Sequence, residues 1–587
     1  MSKPEKLPVW DLSALYKSVD DPKIEKDAKK NLTETEKFVR TYRGKVAKLS
    51  AKEFLGALKS LENISLVTTK LNSYPSLLMS VDNENPKVNV LFQQMTDHSA
   101  KIQGMLIFFD LEIIELDISK ILKFIQDPIF ADHKHYLKNI AKLKPHHLSE
   151  KEEQIFNDKS VTSFGAFSRL FEQHFASKKF NGLTISDVTK QMLSPERTKR
   201  KTAAEALTTG LKEDARMLTL IFNTVIKDKA INDRWHNFQT PEQGRHLSNE
   251  VDQKMVDTMV EVISSNYGIV EDFYNFKRSV FKFPKLYAYD RYAPIAKTEK
   301  KYTFEEAKKI ILVAFSGFSK EFAKIASDFF DKNWIHAPIM TGKRGGAFCA
   351  GIAPDTHPYI LINYLGNHDD VQTLAHELGH GINDVFMQKL NYFNYGVSLP
   401  MAETASVFCE MIVFDYLKAR VKDDKEKFAM YMGKIQEIFA TVFRQTSMHK
   451  FEQDIHKLQK ERGEITEEEF NHLWDKRQKE MFGNSVDLTG SENWWSYIPH
   501  LVIWPFYVYA YSFGELLVLS LYAQYKQDPV TFVPKYLEMM SAGSSKSPQE
   551  ILEPFGIDLA DRKFWQGGIN IIKELVTEAE QIYKDHK

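Results

Sequence analysis

Two histidines four residues apart with a glutamate between them, in the string His376-Glu377-Leu378-Gly379-His380, are the residues of this chain most suited to chemistry. An α-helix turns by about 100° per residue, so residues four apart share one face, and two neutral imidazoles there can bind one tetrahedral zinc ion. Glu377 points about 100° away from His376 and is no third ligand, but it can act as general base on a metal-bound water. With 18 His in 587 residues, such a string arises by chance about 0.04 times per chain, so its surroundings decide.

Those surroundings read as a helix. Asp369-Asp370-Val371-Gln372 offers a capping-box pattern with carboxylates at the positive end of the helix dipole. Val371, Leu374, Ala375, Leu378, Ile382, Val385 and Phe386 then recur at three- and four-residue steps as one inward-facing stripe, with both histidines off it. Gly379 and Gly381 each weaken a helix by about 1 kcal/mol relative to Ala, which implies close approach of a substrate or a neighbouring helix. A third ligand must come from elsewhere. The next predicted helix, opening at Pro400, carries Glu403 and Glu410 on one face. Glu403 is expected to be the third metal ligand, and Glu410 a carboxylate that orients a ligand histidine.

The spacing from HELGH to Glu403, 23 residues past the second His, with Glu410 beyond it, resembles the M3 family of zinc metallopeptidases and, within it, the oligoendopeptidase F branch. The likeness extends upstream to Gly342-Lys343-Arg344-Gly345-Gly346-Ala347-Phe348, Pro358-Tyr359-Ile360-Leu361-Ile362-Asn363, Tyr289-Asp290-Arg291-Tyr292-Ala293-Pro294, Ser194-Pro195-Glu196-Arg197 and Trp10-Asp11-Leu12-Ser13-Ala14-Leu15-Tyr16. Downstream, Ile498-Pro499-His500 and Phe506-Tyr507-Val508-Tyr509 are similar to the segment supplying the family's transition-state residues. The resemblance implies that His500 and Tyr509 donate hydrogen bonds to the oxyanion and substrate backbone, with Tyr507 a further candidate. In a chain with 24 Tyr and 41 Phe, the aromatic band alone reads as core. Asp384 departs from the branch; it is either a supporting carboxylate or an exposed polar position, and is left out of the site.

The reaction implied is hydrolysis of internal bonds in short unfolded peptides by Glu377-assisted attack of a metal-bound water, with one Zn2+ per chain and no covalent intermediate. Two alternatives stay open: a zinc exopeptidase of another helical HExxH family, and an inactive peptide-binding protein. Pro358 to Asn363 is expected to be a strand to whose edge an extended peptide adds. Gly345-Gly346 is either a loop closing over the peptide or a plain hairpin turn.

The expected fold is mainly α, a large multi-helix body with a deep substrate cleft and a small β-sheet beside the metal helix, as in zincins. Residues 1–190 are expected to form an N-terminal helical domain walling the channel, and 191–587 the catalytic domain. Helical spacing is plain over Lys52 to Leu66 and Val88 to Leu116. A net charge of −1 supplies no field for nucleic acid or an anionic membrane. Cys349 and Cys409 are too few for a disulfide framework and are expected to be small buried hydrophobes. Arg197 to Lys201 reads as a solvated helix end, and His133, His135, His146 and His147 as surface histidines. The start at Met1 to Lys6 is charged, with no apolar leader, so a cytoplasmic enzyme is expected. Leu501 to Ala523 holds one formal charge, Glu515, over a length that could span a bilayer, but with Pro505 and several Tyr it is read as a buried helix.

Overall fold

Residues 5–295 and 300–585 are described by the computed structural model, and most of them are helical. The reading of the N-terminal leader falls partly on residues 1–4, outside the described residues. The chain divides into two compact units of three segments each: Met1–His147, Glu299–Arg420 and Tyr525–Gly556 in the first, and Leu148–Thr298, Val421–Gln524 and Ile557–Lys587 in the second. The expected boundary at residue 190 lies inside the second unit.

In the first unit, cap chemistry starts three long helices. Asp21 accepts from Lys23 N at 2.9 Å ahead of α1 (Pro22–Tyr42), Ser50 and Glu53 form a capping box on α2 (Ala51–Val81), and Asn85 accepts from Lys87 N at 3.1 Å ahead of α3 (Pro86–Glu115). Their apolar stripes meet in a core that includes Phe38, Phe54, Phe108, Phe109, Phe124 and Phe130, with Phe54 stacked on Phe124 at 4.7 Å. A second core seats the N-terminal Trp-Asp-Leu motif. Trp10 lies edge-on to His336 and Tyr359, with centroids 5.4 and 6.0 Å away, and Leu12, Leu15 and Tyr16 join Tyr359 and Leu361 in one buried cluster.

The sheet behind Trp10 has three short strands, β1 (Ile335–His336), β2 (Phe348–Ala350) and β3 (Tyr359–Leu361), in the order β1-β3-β2. β3 pairs parallel with β1 (Ile335 opposite Ile360) and antiparallel with β2 (Cys349 opposite Ile360). This corrects the expectation that the Pro358 to Asn363 strand offers an edge: β3 is central, its backbone is paired on both sides, and β2 is an edge strand. The Gly345-Gly346 segment is tied down. Asn363 Nδ2 donates to Arg344 O and Gly346 O, both at 2.9 Å, while Arg344 N donates to Ser80 O at 2.8 Å.

α4 (Lys320–Asp331), α5 (His368–Met387) and α6 (Ser406–Lys418) complete the frame around the metal helix, α5. Cys349 is partly buried, Cys409 is buried, and neither forms a disulfide. His133 and His135 are buried, at 3% and 5% exposure, not on the surface as expected. His133 pairs with Glu62 at 3.2 Å, and burial is what that pairing allows.

In the second unit, Arg197 to Lys201 is a helix end solvated only in part: Thr198, Lys199 and Lys201 are exposed, but Arg197 and Arg200 turn inward. Asp290, 0% exposed, takes Arg197 at 2.8 Å and Arg200 at 2.7 Å, and accepts from Tyr287 N at 3.1 Å. Buried Lys277 donates to Arg291 O and Gln436 Oε1, both at 2.6 Å. The arginines lie on helix Arg197–Glu213 and Asp290 in a 3₁₀ turn, so one carboxylate joins two distant motifs. Asp290→Asn, which leaves a buried guanidinium without its counter-charge, is expected to cost about 3–5 kcal/mol in urea unfolding; a loss under about 1 kcal/mol would show the pairs to be no more than surface ion pairs. Helix Tyr509–Gln527, which takes up most of the apolar stretch, is buried on most sides. Among the described residues no helix is long and apolar enough to cross a membrane.

Candidate metal centre

The cap of α5 lies two residues earlier than predicted. Asp370 Oδ2 accepts from Asn367 N and Leu365 N, both at 2.8 Å, so Asn367 is the N-cap and Asp370 the carboxylate that reaches back. Val371, Leu374, Ala375, Leu378 and Ile382 are fully buried, which turns His376 and His380 to the open face. Both glycines answer to packed neighbours. A Cβ on Gly379 would stand 2.6 Å from Ser406 Cα and 2.7 Å from Ala405 O; one on Gly381 would stand 2.3 Å from the Phe329 ring of α4. Gly379→Ala must push α6 outward, at a cost of about 1–3 kcal/mol. Because that contact holds α5 against the chain just after Glu403, metal affinity is expected to fall with stability. Equilibrium dialysis checks this, and undiminished affinity would disconnect the contact from the site.

His376 Nε2 and His380 Nε2 are 3.2 Å apart, and Glu403 Oε2 lies 3.4 Å from the first and 3.6 Å from the second. A tetrahedral ion with ligands at about 2.05 Å sets its corners about 3.3 Å apart. The three atoms therefore fit such an ion, and among the described residues they form the only cluster of this kind. Glu403 lies in a 3₁₀ turn, Leu399–Thr404, before α6, not within one helix opening at Pro400. Ser406 Oγ donates to its Oε2 at 2.6 Å. Glu403 and Glu410 thus reach opposite sides of the same imidazole, since Glu410 Oε1 accepts from His376 Nδ1 at 2.5 Å. In the neutral ring that bond keeps the proton on Nδ1 and leaves the Nε2 lone pair for a metal. Burial works to lower the His376 pKa, but the bond and charge of Glu410, aided by Glu403 and Glu377, lift it to about 9. His380, without such a partner, is lowered by burial to about 4.

Glu377 is 6% exposed. Burial raises its carboxyl to about 7, with Glu403 and Glu410 adding to the shift, while the His376 charge and the Cys349 backbone N–H oppose it. Asp384 is not an exposed polar position. It packs under β2, where a Cβ on Gly351 would meet its Oδ2 at 2.3 Å, and burial raises its carboxyl to about 7.

His500, Tyr507 and Tyr509 lie in the second unit. Tyr509, placed first by the sequence, is 0% exposed; its hydroxyl accepts from Asn249 Nδ2 at 2.8 Å and lies 2.9 Å from His246 Nδ1. His500 instead gathers Tyr507, stacked at 6.0 Å and 29°, and Tyr511, whose hydroxyl is 3.2 Å from His500 Nε2. Tyr511 was missed. Four residues separate it from Tyr507, but Tyr507 lies in the turn ahead of helix Tyr509–Gln527, so no helical spacing in the sequence marks the pair.

A mainly helical fold, with a small mixed sheet beside a helix whose two histidines meet a downstream glutamate, defines the class: a helical hydrolase with a candidate metal centre. Comparison narrows it. Residues 190–571 match the profile of peptidase family M3 and residues 112–180 that of oligopeptidase F. An oligoendopeptidase F homolog of Borreliella burgdorferi is 30% identical over 88% of this chain and 89% of its own, and oligopeptidase PepF of Bacillus subtilis is 26% identical over 92% and 82%. The crystal structure of oligoendopeptidase-F from Enterococcus faecium superposes with a TM-score of 0.72 at 20% identity, covering 96% of this chain and 99% of that one. The chain belongs to peptidase family M3, a family of metallopeptidases, and is a peptidase of its oligoendopeptidase F branch.

Proposed function

We propose that this peptidase is a zinc-dependent endopeptidase that hydrolyses internal bonds of short unfolded peptides, with His376, His380 and Glu403 holding one zinc ion and Glu377 as general base. The observation that carries this reading is the convergence of three lone-pair atoms at 3.2, 3.4 and 3.6 Å, at the edge lengths of a zinc tetrahedron. Bound there, zinc supplies Lewis acidity, which lowers the pKa of a water to about 7 and polarises a carbonyl. Glu377 takes a proton from the attacking water and returns it to the leaving amine, and its burial, which disfavours the charged form, strengthens it as a base for that transfer. His500 and a tyrosine donate to the oxyanion. Tyr507 is the better candidate, since its hydroxyl has no hydrogen-bond partner among the described residues, whereas the Tyr509 hydroxyl is engaged by Asn249 and His246.

An extended peptide adds to the outer edge of β2, which reads backbone rather than side chains. No nucleic-acid or membrane partner is assigned to a chain of net charge −1, and a cytoplasmic setting agrees with two cysteines in no disulfide. The test is product mapping by mass spectrometry on a quenched peptide blocked at both ends. Internal cleavage is expected. Release of terminal residues from unblocked peptides alone would replace the reading with an exopeptidase, and binding without hydrolysis would leave a peptide-binding protein.

A further inference from the structure

The turn between helices His500–Ile503 and Tyr509–Gln527 has a backbone conformation that its residue does not favour. Tyr507 N donates to Trp504 O at 3.1 Å, closing a four-residue turn with Pro505 second and Phe506 third. Phe506 has φ +56°, and a turn with Pro second and positive φ third normally takes Gly or Asn there. The other described non-glycine residues with positive φ are three asparagines and two helix C-caps, Glu250 and Lys282. Phe506 is the single aromatic among them, and it is fully buried.

Such strain persists where the surroundings over-determine it, and helix Gln445–Arg462 does so twice. Glu452, 0% exposed, accepts from Phe506 N at 2.6 Å, and the Phe506 ring lies 4.7 Å from His456 and 6.1 Å from His449. Arg245 Nε holds the preceding carbonyl, Pro505 O, at 3.3 Å. The turn delivers Tyr507 onto the His500 ring, and Tyr511, 5.2 Å from Tyr507, onto His500 Nε2. A Phe506 relaxed to negative φ would rotate the peptide planes on both sides and carry the Tyr507 ring off the imidazole.

We propose that Glu452 is a positioning residue for peptide hydrolysis: by accepting the Phe506 amide it holds the turn that sets Tyr507 and Tyr511 against His500. The proposal rests on the reading that His500 acts on the substrate. What matters is the acceptor oxygen rather than the charge, since burial already favours the neutral carboxyl by raising it to about 8 against the pull of the Phe506 amide.

Two conservative variants separate acceptor from charge. Glu452→Gln keeps an oxygen in place and removes the ionisable carboxyl; Glu452→Asp keeps the ionisable carboxyl and withdraws the oxygen. In the zinc-loaded enzyme acting on a blocked quenched peptide, Glu452→Asp is expected to lower kcat at least about tenfold with KM changed less than about twofold, and Glu452→Gln to stay within about twofold of wild type. The opposite order, or wild-type kcat for Glu452→Asp, overturns the proposal. Combined with His500→Ala, Glu452→Asp is expected to add less than about twofold to the loss; multiplied losses would mean that it acts elsewhere. His500→Ala at the wild-type rate would overturn the reading of His500 and the proposal with it, an outcome distinct from slow His500→Ala beside normal Glu452→Asp. The strained residue supplies a further arm that does not depend on one variant folding: Phe506→Gly meets the positive φ without strain, so Glu452→Asp should cost less in that background, and an equal cost of Glu452→Asp in both backgrounds overturns the proposal.

Discussion

Glu377→Gln is expected to lower kcat for a blocked peptide by about a thousandfold or more while zinc content stays at one per chain. The two halves have separate physical grounds. Glu377 is absent from the cluster of converging ligand atoms, so an amide there leaves the metal donors in place. A general base in position is worth about 10²–10⁴ in rate, and an amide cannot take the proton. The amide matches the carboxyl in shape and removes a charge that burial disfavours, so stability should change little. Zinc by atomic emission, melting temperature and single-turnover hydrolysis separate the outcomes. Retained zinc with near-normal turnover would sink the role of general base, and lost zinc would show that the carboxylate helps to hold the ion.

Local patterns were legible wherever a helix writes its own period. The stripe from Val371 to Ile382 predicted both the buried face of α5 and the open face of its histidines, because burial on a single helix depends only on spacing. The sequence proposes Glu403 as third ligand, and its carboxylate lies 3.4 and 3.6 Å from the two imidazoles, although its backbone is a 3₁₀ turn rather than the helix expected. What stayed hidden depends on partners distant in sequence. A three-residue apolar run does not reveal whether it is central or at an edge, and β3 is central because Ile335 and Cys349 both find Ile360. Arg200 is as polar as any surface residue; Asp290, ninety positions away, is what permits its burial. Asp384, readable from spacing as a supporting carboxylate or an exposed polar position, is covered by Cys349 of β2 and by Gly351 just beyond it. Among the tyrosines, alternation along the chain could not separate a hydroxyl engaged by Asn249 from one without a partner, since the distinction is made by helix Gln243–Asn249.

His380→Ala is expected to abolish both stable zinc binding and hydrolysis, and the zinc measurement is the more informative. Three donors converge in the wild type, with neighbouring atoms 3.2, 3.4 and 3.6 Å apart, and the variant leaves His376 and Glu403 to hold the ion alone. Zinc that binds only the folded chain stabilises it by RT ln(1 + [L]/Kd), about 2.7 kcal/mol at a hundredfold excess over Kd. Zinc should therefore raise the melting temperature of wild-type apoprotein and leave that of His380→Ala unmoved at the same concentration. Glu410→Ala provides a graded comparison. It removes the acceptor that lies 2.5 Å from His376 Nδ1 but no ligand atom, so affinity should fall by about 10–100-fold and excess zinc should restore activity. His380→Ala should not be rescued in this way. A zinc-dependent rise in melting temperature in His380→Ala equal to that of wild type would place the ion elsewhere in the chain and remove the basis of the proposed reaction.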